Sequence, residues 1–302
     1  MSKIGLKNIG GIACLNAILQ CFCHIEKFVN FFKYNPQIIQ IVKNDKNKLS
    51  SSFKLLIEKL WPNKNDYILG NKYYSPEEIK NKIIKMNPSF AQKGTINPEK
   101  LINFIIMTLH EELNKAQNIS EDNNNIIIDK RNKEMAFQNF ANNFTEKYRS
   151  IISDLFYSVK CNLMQCFCCF SYSYNYQSYS SLSFNLEDIY NFKKLNIQLN
   201  MMLINPLLIN NYFMNNNQYI PNQISILDCL EYYRKMNNTS GSCSYCYQNI
   251  NIIHSMQTNL TLGPEILILI FNKGMNIEIK LNFNEIINLE NYIEYKKTGF
   301  IN

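Results

Sequence analysis

The sequence predicts an α+β protein, with helices concentrated in its first half and strands in its second. Apolar residues recur at i, i+3 and i+4 in successive stretches up to about residue 155. Beyond that point they give way to short β-branched and aromatic runs, several of them alternating. Two C-x-x-C pairs, Cys166/Cys169 and Cys243/Cys246, punctuate the strand-rich half.

Taken in order, Leu15, Ile18, Leu19, Phe22, Phe28, Val29 and Phe32 fall at helical spacing with a break near His24, so two short helices are expected there. Further helices are expected over residues 53–60, 76–86, 98–113 and 133–155. Strands are expected over residues 179–186, 251–262, 266–271 and 277–283. The Asn-rich stretches 118–125 and 210–222 read as loops or insertions without a core of their own.

A chain of 302 residues with 46% hydrophobic content, 19 Tyr and 19 Phe is far from the composition that keeps a polypeptide disordered. Its length allows a large core without covalent staples. The net charge of +7 accompanies abundant Asn, Ile and Lys, the residues of A- and T-rich codons. No basic run with interleaved aromatics appears, so nucleic acid is not an expected partner, although a zinc-dependent nucleic-acid binder is a reading the knuckles and charge leave open.

Ten cysteines suit either secreted disulfides or intracellular thiols and metal ligands. Lys3 and Lys7 precede an apolar stretch that superficially resembles a signal peptide, but Asn16 and Gln20 interrupt it and no small-residue cleavage site follows. The longest strongly apolar run, residues 266–271, is too short to span a bilayer. The expectation is an intracellular protein of cytoplasm or nucleus, with reduced cysteines and no membrane partner.

Residues 5–20 hold a glycine-bearing loop leading into a helix. A thiol in the first turn of such a helix has its pKa lowered by the dipole and the free amides, and a nearby amide such as that of Asn8 can donate to an oxyanion. Read alone, the segment is equally a glycine-punctuated helix entry with Asn8 as a turn residue. Gly5, Leu6, Asn8, Gly10, Asn16, Leu19 and Gln20 match, at fixed spacing, the box G-L-x-N-x-G-N-T-C-Y-x-N-S-x-L-Q. In this the sequence resembles the ubiquitin-specific proteases, papain-like cysteine peptidases that hydrolyse the isopeptide bond at ubiquitin's C-terminus.

The resemblance places Asn8 at the oxyanion position and Ala13 at the nucleophile position. An alanine methyl cannot attack a carbonyl. Gly11, Ile12 and Cys14 also depart from the family's Asn, Thr and Tyr, so more than one residue has changed. Cys14 is either a packing thiol or a substitute nucleophile, and the rotation of about 100° per helical residue turns it away from the family's direction of attack.

Residues 97–101 and 109–113 resemble the family's Q-D-A-x-E-F-L helix and its L-H-x-E-L tail, which gives His110 no role as a base. The C-x-x-C pairs have the spacing with which two thiolates share a tetrahedral zinc. Roughly seventy residues separate them, against about 15 to 20 in a compact ribbon, so they must meet at the tips of longer strands or remain unmetallated buried thiols. The resemblance implies the first arrangement, with Cys166, Cys169, Cys243 and Cys246 as ligands of a structural zinc. Cys161 and Cys168 are spare, and Cys168 replaces Cys169 only with strained spacing.

The flanks extend the resemblance, through residues 225–230, similar to the start of the family's finger helix, and residues 262–268, similar to its L-P-x-x-L-I strand. His254 takes a strand position where the family often has Lys. Residues 280–283 and 289–293 resemble the segments before the family's histidine box, which would follow the last residue given. The resemblance therefore implies one papain-like ubiquitin-specific protease domain over 1–302. It comprises a helical thumb (1–155), zinc-tipped β fingers (156–262) and an incomplete palm (263–302). The function expected is binding of ubiquitin or a ubiquitinated protein without cleavage. The alternative is an active deubiquitinase, through Cys14 or in a longer natural chain.

Overall fold

The computed structural model describes residues 4–9, 13–62, 73–91, 97–116, 129–204, 223–246, 252–274 and 278–296. The Asn-rich stretches 118–125 and 210–222 lie wholly outside them, as do Gly10, Gly11 and Ile12. The chain forms two compact units, one of residues 1–119 with 147–155 and the other of residues 120–146 with 156–302.

The first unit opens on β1 (Gly5–Leu6), paired in parallel with β2 (Tyr73–Tyr74). Its helices are α1 (Ala13–Phe22), α2 (Glu26–Tyr34), α3 (Pro36–Asn44), α4 (Leu49–Leu60), α5 (Glu77–Met86) and α6 (Pro98–Leu113). The break expected near His24 falls between α1 and α2. Helix α3 is not foreseen by periodicity alone; Asn35 caps it by accepting from the Gln37 amide at 2.9 Å, and Pro36 opens its first turn, where no N–H is needed.

Helix α4 is the hub, packing against α2, α3, α5 and α6. Its Phe53, Leu56, Ile57 and Leu60 are sealed from solvent, and the Phe53 ring stands edge-on to Phe22 and Phe28. The two amides at its N-terminus, of Leu49 and Ser50, donate at 2.8 and 2.7 Å to the two carboxylate oxygens of Glu112 near the end of α6. A distant acidic side chain thus does the work of an N-cap.

The helix expected over 133–155 is two: α7 (Lys133–Lys147) and α8 (Ile151–Phe156). Ser150 and Ser153 explain the interruption. Each hydroxyl accepts from the other's backbone amide, at 2.9 and 3.0 Å, and this reciprocal cap starts a new helix after Lys147.

In the second unit, β3 (Ser158–Cys166) pairs antiparallel with β4 (Tyr172–Tyr179) and with β8 (Ile252–Gly263). Strand β7 (Asn237–Gly241) and strand β11 (Ile293–Lys296) complete this five-stranded sheet on β8. Helix α7 belongs to this unit, with Phe137 against Tyr176 and Tyr295 and an ion pair between Lys133 and Glu294 at 3.2 Å. Strand β4 escapes the alternation test because its faces carry Tyr, Ser, Asn and Gln in place of aliphatic residues, whereas β3 does alternate, Val159, Cys161 and Leu163 against Lys160 and Asn162, over a run of only five residues.

Two parallel pairs accompany the sheet, β5 (Leu182–Asn185) with β9 (Leu269–Asn272) and β6 (Gln223–Ser225) with β10 (Lys280–Asn282). They share a core of Leu182, Phe184, Leu186, Ile189, Ile224 and Leu230 with α9 (Leu186–Ile204) and α10 (Ile226–Arg234). Ser225 and Asp228 form a capping box at the start of α10, and Asp228 also pairs with Lys193 of α9 at 2.7 Å. Among the described residues, no helix is long and apolar enough to cross a membrane.

Candidate functional site: a four-cysteine cluster and a helix entry that starts on alanine

The four-cysteine cluster follows from the strand pairing. Strand β3 delivers Cys166 to its end, and the turn after it carries Cys169. Phe170 in this turn holds φ at 57°, a costly conformation for a bulky residue, while its amide donates to the Cys166 carbonyl at 2.9 Å. Strands β7 and β8 bring the segment holding Cys243 and Cys246 to the same end.

The Cys166 and Cys246 sulfurs stand 3.6 Å apart, those of Cys169 and Cys243 3.8 Å, and all four lie within 4.8 Å of one another. Zinc–sulfur bonds of about 2.3 Å in a tetrahedron put neighbouring sulfurs about 3.8 Å apart, so the donor set fits one such ion. A disulfide would need about 2.05 Å. The cluster can hold a metal, and it draws on Cys169 rather than Cys168, which is exposed.

Local backbone donors approach two of the sulfurs. The Cys168 amide points at the Cys166 sulfur and the Tyr245 amide at that of Cys243, both at 3.4 Å. The hydroxyl and amide of Ser171, two residues beyond the knuckle, lower the Cys169 pKa to about 6, while hydrogen bonding to Cys169 pushes that of Cys246 up. One sulfur of that pair ionises first, and a bound cation would deprotonate the set. Ser171 went unnoticed in the sequence, where a serine two positions after a cysteine carries no mark of its own.

The N-terminal box builds a helix entry. The Lys7 amide donates to the Tyr74 carbonyl at 2.8 Å, and the Asn16 side chain donates to the Lys7 carbonyl at 3.0 Å, so α1 is tied to the strand before it. Asn8 is exposed beside this tie. Helix α1 starts at Ala13 and buries Leu15, Ile18, Leu19 and Phe22. Cys14 is half-buried, and desolvation raises its thiol pKa more than the Leu15 and Cys14 amides lower it. An activated thiol is shifted in the opposite direction.

Cys23, His24 and His110 of the first unit each make a local contact. Burial pushes Cys23 up to about 12, and its carbonyl accepts from the Trp61 indole at 2.8 Å. His24 is exposed, with Nδ1 2.7 Å from the Gln20 carbonyl. His110 is buried with Nδ1 2.7 Å from the Ser150 hydroxyl, and desolvation lowers its pKa to about 4.

A helical unit with this glycine-bearing entry and a β unit ending in four convergent cysteines define a ubiquitin-specific protease fold. A family model described as ubiquitin carboxyl-terminal hydrolase matches residues 4–299, and the chain belongs to that family, part of the deubiquitination system. Among curated relatives, ubiquitin carboxyl-terminal hydrolase 5 of Arabidopsis thaliana is 25% identical over 186 residues, covering 61% of this chain and 19% of the relative. Ubiquitin carboxyl-terminal hydrolase 12 of Saccharomyces cerevisiae is 28% identical over 117 residues, covering 37% and 9%. A solved SAGA DUB module of Ubp8, Sgf11, Sus1 and Sgf73 bound to monoubiquitin superposes with a TM-score of 0.56 at 16% identity. That match covers 98% of this chain and 55% of the solved one, so the chain spans about half of the solved protein and far less of the curated relatives.

Proposed function

We propose that this chain is a non-catalytic member of its family, which binds ubiquitin or a ubiquitinated protein without cleaving it. The observation that carries the reading is Ala13 at the first residue of α1, where the family's nucleophile would stand. Acyl-thioester chemistry needs a thiolate, and an alanine offers no lone pair. The neighbouring Cys14 is a poor replacement, because burial holds it protonated and it lies one residue further round the helix. Asn8 keeps the family's oxyanion residue with no oxyanion to be formed.

The four-cysteine cluster takes zinc in a structural role, with all four ligand positions filled by protein and none left for water. Zinc at these sulfurs joins the β3–β4 turn to the segment after β7, so metal binding adds directly to the stability of the finger. The protein works inside the cell, in cytoplasm or nucleus, where its thiols stay reduced. The solved relative in complex with monoubiquitin supports ubiquitin as the partner.

The test is a calorimetric titration of the zinc-loaded chain with monoubiquitin and with ubiquitin chains, beside an assay for cleavage of those chains. Saturable binding without cleavage is the expected result. Cleavage lost in a Cys14→Ser variant would make the chain an enzyme, and absence of binding at millimolar ubiquitin would remove ubiquitin as the partner.

A further inference from the structure

His254 lies outside both the helix entry and the ligand set, yet it is the cross-strand neighbour of the most enclosed ligand. In the β3–β8 register Cys166 stands opposite His254. The next pair, Phe167 and Ile253, is joined by an amide-to-carbonyl hydrogen bond of 3.2 Å, so Cys166 and His254 form the adjacent pair without hydrogen bonds between their backbones. Side chains of such a pair share one face of the sheet, with Cβ atoms about 4.5–5.5 Å apart.

Both residues are closed to solvent, Cys166 at 2% and His254 at 3% relative exposure. Among the described residues, the His254 Nε2 atom is buried and has no hydrogen-bond partner. A buried imidazole nitrogen without a partner is costly, and such sites normally meet an acceptor or a donor that completes them. On its side of the pair Cys166 has the complementary need. A zinc bound by four thiolates carries two net negative charges, and a sulfur shut away from water must find its hydrogen bonds within the protein. The Cys168 amide supplies one donor to Cys166 at 3.4 Å.

We infer that His254 is a positioning residue of the metal centre, donating its Nε2–H to the Cys166 thiolate once the metal is bound. The thiol form of Cys166 is a weak acceptor and the metal-bound thiolate a strong one. The hydrogen bond therefore strengthens on metal binding and raises metal affinity, while the imidazole itself stays outside the coordination sphere. Residues bonded to first-sphere ligands commonly change metal affinity by about 10- to 100-fold. The inference rests on the metal-centre reading of the four cysteines.

The experiment uses the full chain loaded with cadmium-113. Scalar coupling through the hydrogen bond gives a correlation between the metal and the His254 Nε2 proton in wild-type protein, without need of a variant. A zinc competition titration against a chromogenic chelator accompanies it. His254→Phe is expected to weaken zinc about 10- to 100-fold and His254→Gln, which keeps an N–H donor, to recover part of that loss. Absence of the metal–proton correlation together with unchanged zinc affinity in His254→Phe would overturn the inference while leaving the metal centre intact. A wild-type chain that takes up neither zinc nor cadmium would instead refute the metal-centre reading itself.

Discussion

Acidification should loosen the helical unit through one buried imidazole. His110 is 7% exposed, shares a hydrogen bond of 2.7 Å with the Ser150 hydroxyl and packs on the Tyr148 ring. Burial disfavours its charged form and lowers its pKa from 6.5 to about 4. Above the unfolded value both states are neutral and the full stability is present. As pH falls below it the unfolded chain takes up a proton that the folded chain refuses, so stability declines until the folded pKa is passed. At 1.36 kcal/mol per pKa unit the whole effect is about 3 kcal/mol, of which roughly 2.5 kcal/mol is lost by about pH 4.5.

The chain has a single tryptophan, and it reports on this unit alone, because Trp61 caps α4 and donates to the Cys23 carbonyl at 2.8 Å. Urea unfolding followed by its fluorescence at about pH 7.5 and about pH 4.5, in wild type and in His110→Gln, isolates the imidazole. Any metal released on acidification affects both proteins and cancels in the difference. Wild type should lose about 2.5 kcal/mol more than the variant between the two conditions. Equal losses would refute the argument that burial of His110 couples protonation to unfolding.

Two further perturbations test the construction of each unit. Glu112→Ala leaves the Leu49 and Ser50 amides at the buried start of α4 without acceptors and should cost about 2–4 kcal/mol in the same Trp61-monitored unfolding. Removing one ligand with Cys243→Ser should abolish stoichiometric zinc in elemental analysis of the purified protein. It should also lower the unfolding midpoint of the β unit, while the Trp61 transition keeps its place.

What could be read from the sequence divides according to the range of the interaction. The helix entry and the cysteine pairs were legible because fixed local spacing carries their chemistry, and the break between α1 and α2 because periodicity fails at His24. Helix α9 was missed because Tyr, Lys and Asn dilute its apolar stripe, and β4 because its faces are tyrosine-rich and polar; in β3 the alternation of Val159, Cys161 and Leu163 with Lys160 and Asn162 is present but short. The split between α7 and α8 depends on a serine pair whose meaning appears only when both hydroxyls face both amides. Long-range contacts left no local trace. The Glu112 cap spans 62 and 63 residues, and Cys166 meets Cys246 across 80. His254 was visible as a histidine in a strand, but its neighbour is set by the register of β3 on β8.

The central claim is that the chain holds ubiquitin but lacks the nucleophile to cleave it. Native mass spectrometry of the zinc-loaded chain mixed with ubiquitin carrying a C-terminal thiol-reactive electrophile tests both halves at once. A one-to-one complex that separates completely on denaturation, with no mass added to the chain, is the predicted result. A ubiquitin adduct that survives denaturation and maps to Cys14 would contradict it.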